Sequence, residues 1–298
     1  MPDLDEPGVP AGSTPGRGDD ERAGHGGWTT ERDDLGHQTR VPGSVGRVVS
    51  LVPSLTEAVA SCAPRILVGA TDWCSHPADL AVTRIGGTKN PEVGAIAALA
   101  PDVVLANEEE NRREDLDALR AAGLAVWVTR VRDLPEALTS LGRMLTVACR
   151  LPRPAWLDAA AAAWQRVPAS GGPPSRTAVV PIWRRPWMVL GRDTFAGDLL
   201  ARLGVANVFA GDGERYPRVP LDQIRAAGAD LLVLPDEPYR FSASDGPEAF
   251  PGNSTALVSG RHLTWYGPSL TEAPAVLGRQ LLAARVRCPG LPAARSRT

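Results

Sequence analysis

One pattern recurs in the chain and limits its fold more than any other: a short helix-forming stretch runs into an aspartate that opens a buried apolar strand. Ile96-Ala97-Ala98-Leu99 leads into Pro101-Asp102-Val103-Val104-Leu105, and Ile224-Arg225-Ala226-Ala227 leads into Ala229-Asp230-Leu231-Leu232-Val233. Around the first copy, residues 48–52, 66–69, 103–106 and 124–128 read as short strands, and residues 55–60, 93–100 and 113–122 as helices, the first capped by Ser54 and the last stopped by Gly123. Around the second, residues 178–182 and 229–235 read as strands and 195–203 as a helix stopped by Gly204. Uninterrupted apolar strands alternating with helices imply parallel sheets covered on both faces. The chain is therefore expected to form two similar α/β lobes, over residues 47–133 and 176–287.

Residues 134–170 separate the lobes. Two helical stretches are expected there, at 134–150 and 154–167, the second carrying the alanine run Ala159 to Ala163. Gly171-Gly172-Pro173-Pro174 then breaks the chain. Residues 1–46 are rich in Gly, Pro, Asp, Glu and Arg with few aliphatic side chains, so burial cannot offset the entropy of ordering. A disordered N-terminal tail is expected there, and a second at 288–298.

Composition excludes several partners. Thirty-two basic against 34 acidic side chains give a formal charge of −2, which provides no global field toward nucleic acid or an anionic membrane. No apolar run reaches the ~20 residues needed to span a bilayer. At 43% hydrophobic and 22% charged residues, the chain has enough apolar content for two separate cores. Cys62, Cys74, Cys149 and Cys288 form no C-x-x-C pair, which fits a reducing compartment. The N-terminal stretch lacks the apolar segment of a secretory signal, so a cytoplasmic location is expected, and an extracytoplasmic one if translation starts further upstream.

Tryptophan outnumbers the other aromatics, with eight Trp against four Phe and three Tyr. Trp73 follows the second strand, Trp183 and Trp187 flank Arg184-Arg185-Pro186, and Trp265-Tyr266 lies near the C-terminal end. All five aromatics sit in loops of the kind that line a crevice at strand ends, where broad rigid faces suit a flat amphipathic ligand. Glu109 and Asn111, in the run that follows residues 103–106, are placed at the same rim. Packing between lobes, or a solvated helix start for the glutamates, is the competing reading. Trp127, Trp156 and Trp164 fall on regular elements and are assigned to the core.

Asp72, Cys74 and His76 offer metal-ligand chemistry, but no second cluster completes a set, so no metal site is assigned. Gly86-Gly87-Thr88-Lys89 lacks the spacing of a phosphate loop and reads as a turn. Ser54 is not in a G-x-S-x-G elbow, and no catalytic constellation can be drawn.

The run from Arg47 to Glu57 (RVVSLVPSLTE), Gly86 to Pro91 (GGTKNP), Leu99 to Leu105 (LAPDVVL), Pro235 to Tyr239 (PDEPY) and Trp265 to Pro268 (WYGP) resemble the periplasmic-binding-like proteins with a helical backbone, in particular the vitamin B12-binding components of ABC importers. The resemblance spans residues 47 to the C-terminal helix. It implies the class III substrate-binding-protein fold, two Rossmann-like α/β lobes joined by one long backbone helix. It also implies a cobalamin held by aromatic side chains in the cleft, as bound ligand and not as catalytic cofactor, with Trp73 and Trp265 in that role and Trp183 and Trp187 as additions. Relatives of this kind dock to a permease through one acidic residue on each lobe. Alignment places those positions at Gly94 and Gly267, which would remove both salt bridges. The expected function is non-catalytic binding of cobalamin or a related corrinoid. The alternatives are an iron-siderophore or haem binder of the same fold, and an enzyme of corrinoid or metal-chelate metabolism using Asp72, Cys74, His76 and Glu108 to Glu110.

Overall fold

A computed structural model describes residues 27–167 and 174–286. Residues 1–26, the Gly171-Gly172-Pro173 break and the expected tail at 288–298 lie outside the described residues.

Order begins before Arg47. Strands β1 (Thr29–Arg32) and β2 (Gln38–Val41) form an antiparallel hairpin, which corrects the expected tail for residues 27–46. The polar side chains that argue for disorder are the ones that anchor it. Asp33 accepts the amides of Leu35 and His37 at 3.0 and 2.8 Å and lies 3.6 Å from Arg120. Asp34 is held by Ser140 and Arg143, and the Thr39 hydroxyl donates to the Val126 carbonyl at 2.9 Å. These partners lie about 90 residues or more further along the chain, beyond the reach of a local reading.

The first lobe follows in the order β3 (Val48–Ser50), α1 (Pro53–Ala60), β4 (Leu67–Ala70), β5 (Thr83–Arg84), β6 (Gly86–Gly87), β7 (Asn90–Pro91), α2 (Val93–Ala98), β8 (Val103–Asn107), α3 (Arg113–Ala121) and β9 (Val126–Thr129). Its sheet is wholly parallel, in the order β5-β4-β3-β8-β9. Helix α1 starts at Pro53, whose fixed φ and missing N–H suit a first helical position, so Ser54 lies inside the helix and caps nothing. The short hairpin β6–β7 turns through Thr88 and Lys89, with Gly86 at φ +84°, a conformation that a Cβ disfavours.

The connector is helical in two pieces instead of one long rod. Helix α4 (Leu134–Arg143), capped by the Asp133 carboxylate on the Glu136 amide at 2.7 Å, widens into a π-helical turn at Met144–Ala148. Arg150 at φ +54°, followed by Pro152 and Pro154, ends that run, and α5 (Ala155–Gln165) starts afresh.

The second lobe comprises β10 (Arg176–Val179), the antiparallel hairpin β11 (Pro181–Arg184) and β12 (Trp187–Val189), α6 (Phe195–Arg202), β13 (Val205–Asn207), α7 (Leu221–Ala226), β14 (Leu231–Pro235), β15 (Ser254–Val258), α8 (Gly260–Thr264), α9 (Ala273–Leu282) and β16 (Arg285–Val286). Its sheet runs β13-β10-β14-β15-β16, parallel except for the edge strand β16.

The repeated aspartate has one structural job in both lobes. Asp102, opening β8, accepts the amides of Gly46 and Arg47 at 2.8 and 2.9 Å. Asp230, opening β14, accepts the Thr177 amide and hydroxyl, each at 2.7 Å. Each carboxylate thus ties the start of a strand to the start of the neighbour with which it forms the topological switch point, β3 with β8 and β10 with β14.

The cores are not separate as expected. One apolar cluster runs from the first sheet through α4 and α5 to the inner face of the second, including Trp127, Trp164, Leu199, Tyr266 and Leu270. A smaller cluster of Val179, Val189, Ile224, Leu234, Phe241 and Phe250 lies on the other face of the second sheet. The Trp164 indole N–H donates to the Leu270 carbonyl at 3.1 Å, which fixes α5 on the second lobe.

Candidate functional site in the inter-lobe crevice

Open α/β sheets bind ligands outside the carboxyl ends of the strands, at the switch point. In the first lobe that position is formed by Leu51–Pro53 and the turn Glu108–Asn111. In the second it is formed by the β11–β12 hairpin and the loop after Pro235. Contacts across this crevice include three between side chains of the two lobes. Glu109 accepts the Tyr216 hydroxyl at 2.5 Å and is paired with Arg215. Glu57 on α1 is paired with Arg261 on α8. The His76 ring stands edge-on to Trp265, with centroids 5.4 Å apart and planes at 86°.

The expected aromatic residues divide. Trp73 is 68% exposed, and Trp183 is 42% exposed with its ring edge-on to Tyr239 at 5.6 Å. Both present open indole surface. Trp187 is half-buried, stacked on Phe241 at 6.1 Å and edge-on to Phe250 at 5.3 Å, so part of the ring belongs to the smaller core. Trp265 and Tyr266 are buried. Trp265 packs on His76, and Tyr266 packs edge-on to Phe195 at 5.7 Å, where burial keeps its phenol protonated.

Asn111 and Glu109 are likewise committed to the protein. The Asn111 amide donates to the Thr88 carbonyl at 2.9 Å and accepts the Asn107 amide at 2.9 Å, so it holds the switch-point turn in shape. Burial pushes the Glu109 carboxyl up from its ordinary value, outweighing the opposite effects of Tyr216 and Arg215. Glu109 thus meets Tyr216 and Arg215 of the second lobe, whereas the Asn111 side chain is held by Thr88 and Asn107 within its own lobe.

Asp72, Cys74 and His76 do not converge. The Cys74 sulfur is buried 3.0 Å from the Thr56 hydroxyl and 3.2 Å from that of Thr71, and burial pushes its thiol up. Among the described residues, no three His, Cys, Asp or Glu side chains gather as a metal-ligating set.

Trp187, together with residues that the sequence reading did not single out, lines one of two open cavities of the second lobe. One, of about 630 Å³, is bounded by Arg185, Pro186, Trp187, Arg218 and Pro220. The other, of about 560 Å³, is bounded by Met188, Asp212, Glu214, Tyr216 and Arg218. They share Arg218, which follows Pro217, whose carbonyl accepts the Val189 amide at 3.1 Å. The doublet Arg184-Arg185 between two tryptophans signals the first cavity in the sequence. No local signal marks Arg218.

The proposed docking positions also change. Gly94 is exposed near the start of α2. Gly267 is buried between the lobes, where a Cβ would stand 3.3 Å from the Ser54 carbonyl, so it is not a surface position. The internal repeat pairs Ile96 with Ile224 and therefore Gly94 with Asp222, which is exposed on α7. An acid is present on the second lobe after all.

The periplasmic binding protein family matches residues 48–255, well over half of the chain. The chain belongs to this family. As a periplasmic binding protein it has relatives of low sequence identity and shared architecture. The vitamin B12-binding protein of Pectobacterium carotovorum subsp. carotovorum (strain PC1) is 22% identical over 206 residues, covering 66% of this chain and 74% of the relative. The periplasmic vitamin B12 binding protein BtuF of Vibrio cholerae superposes with a TM-score of 0.60 at 17% identity, covering 80% of this chain and 97% of the other. A periplasmic heme binding protein from Pseudomonas aeruginosa gives 0.61 at 22% identity, covering 82% and 96%. These neighbours place the chain in the class III α/β architecture. Periplasmic binding proteins of this type are non-enzymatic binders of small molecules that work with ABC permeases. Among the described residues no helix is long and apolar enough to cross a membrane.

Proposed function

We propose that this periplasmic binding protein holds cobalamin or a related corrinoid, reversibly and without catalysis, as the substrate-binding component of an importer. One observation carries the reading. Trp73 from the first lobe, in the loop after β4, and Trp183 from the second, on strand β11 of the hairpin, keep open indole faces while Trp265 and Tyr266 are buried. Paired rigid aromatic faces suit the broad amphipathic surface of a corrin. The named B12-binding relatives support the same choice. Contact with a permease would run through Asp222 on the second lobe and the surface around Gly94 on the first.

The test is a titration with cyanocobalamin followed by tryptophan fluorescence, with stoichiometry from calorimetry. Saturable one-to-one binding with Kd on the order of 1 µM or tighter is expected. Absence of saturable binding removes the corrinoid reading. A second reading, haem or a ferric siderophore in the same crevice, is favoured by the exposed guanidinium groups of Arg185 and Arg218, which suit an anionic ligand. Competition among the three coloured ligands separates the two readings.

A further inference from the structure

The basic groups of the second lobe are not equivalent. Arg184 lies over the Trp187 ring at 5.6 Å and is paired with both Asp245 and Glu248, so its charge is compensated and its geometry fixed. Arg215 is committed to Glu109. Arg192 stands 3.8 Å from Asp193. Arg185 and Arg218 form no ion pair among the described residues, and both are exposed. They bound the 630 Å³ cavity together with the paired Arg184, Trp187, Pro186, Val219 and Pro220, and no carboxylate lines it. The acids Asp212 and Glu214 belong to the adjoining cavity on the other side of Arg218. The second lobe thus carries a cationic aromatic pocket next to an acidic one.

We infer that the pocket of Arg185, Arg218 and Trp187 is a subsite for an anionic group of the bound ligand, with Trp187 and the prolines packing the apolar part that carries it. The inference rests on the proposed function and adds the chemical class of the group received. Guanidinium is the natural donor for this task, because its planar fork meets two oxygens of a carboxylate or phosphate at once. A cavity of this size lies within the range of small-molecule sites and takes one substituent of a large chelate instead of the whole molecule. Two chemical sources fit the same pair of cations: the phosphodiester of a corrinoid nucleotide loop, and the carboxylates of a porphyrin or carboxylate siderophore.

Two matched ligand pairs distinguish these sources on the full chain. Cyanocobalamin carries the phosphodiester and dicyanocobinamide lacks it. Iron protoporphyrin IX carries free carboxylates, and in its dimethyl ester they are masked. All four are titrated against the wild type and against the double variant Arg185→Gln/Arg218→Gln, with circular dichroism to confirm that the variant is folded. The expected result is that, in at least one pair, the anionic member binds wild type on the order of tenfold more tightly and loses that margin in the double variant. A margin in the first pair alone assigns the phosphodiester, and one in the second alone assigns the carboxylates. Equal binding within every pair that binds, or a margin that survives the double substitution, overturns the subsite while leaving the proposed function standing. Failure of all four to bind overturns the proposed function and the subsite with it.

Discussion

Glu109 in the first lobe and Tyr216 in the second are 107 residues apart in sequence and 2.5 Å apart in space, carboxylate to hydroxyl. With Arg215 on the same carboxylate, the switch-point turn of one lobe is fastened to the loop that borders an open cavity of the other. Because burial is the largest influence on Glu109, its carboxyl is raised above the ordinary value of 4.5, and the assembled protein binds a proton more readily than the unfolded chain. The resulting stability is fully present below the unfolded value and is lost as pH rises through the folded one. Glu109→Gln is therefore expected to flatten the fall in unfolding free energy between pH 4.5 and neutrality, measured by denaturant titration at stepped pH. An unchanged pH profile would show that Glu109 is as solvated in the folded chain as in the unfolded one.

Asp230 gives the opposite sign. Its hydrogen bonds from Thr177 hold the carboxyl below the ordinary value of 3.8. Stability from this group is present above that value and is lost as pH falls through the lowered one. Asp230→Asn is expected to lower the thermal midpoint at neutral pH, with a difference from wild type that shrinks under strong acid. A constant difference across pH would assign the effect to packing alone.

Trp164→Phe removes the N–H that reaches the Leu270 carbonyl at 3.1 Å and leaves a small void between α5 and the second lobe. Together these are expected to cost about 2 kcal/mol in chemical denaturation. Trp164→Ala should cost more.

The two glycines once aligned with docking acids should respond differently to the same substitution. Nothing stands within 4 Å of a Cβ at Gly94, whereas at Gly267 the Ser54 carbonyl is at 3.3 Å and a Glu57 carboxylate oxygen at 3.7 Å. Gly94→Asp is expected to leave stability within about 0.5 kcal/mol, and Gly267→Asp to cost about 2 kcal/mol through crowding and repulsion from Glu57. Equal effects would remove Gly267 from the lobe interface.

Trp73→Ala and Trp265→Ala separate recognition from folding. Trp73 is open, so its loss should leave stability within about 0.5 kcal/mol and weaken ligand binding on the order of tenfold. Trp265 is 8% exposed, so its loss is expected to cost about 3 kcal/mol of stability. Fluorescence titration and denaturation of each variant report the two effects.

Much of the architecture is legible along the chain because it is local. Strand β8 and strand β14 announce themselves as apolar runs after an aspartate, Gly123 and Gly204 end α3 and α6 at φ +79°, and proline closes the connector helix. Weak strands escape such a reading. Thr83–Arg84 and Val205–Asn207 are too short to show a period and exist because a neighbouring strand supplies their hydrogen bonds. The N-terminal hairpin escapes it for a related reason, since its partners Arg120, Ser140 and Arg143 lie far along the chain.

The sequence by itself determined the α/β alternation, the internal duplication and the loops at the strand ends, because strand and helix periods and turn residues act over a few positions. Only the tertiary structure decided what those loop residues do. Trp73 and Trp183 stay open while Trp265 and Tyr266 are buried, Asn111 props a turn, and Glu109 closes on Arg215 and Tyr216. Whether a side chain meets ligand, solvent or the opposite lobe is fixed by contacts between segments a hundred or more residues apart, and these exist only once both sheets face one another across the crevice.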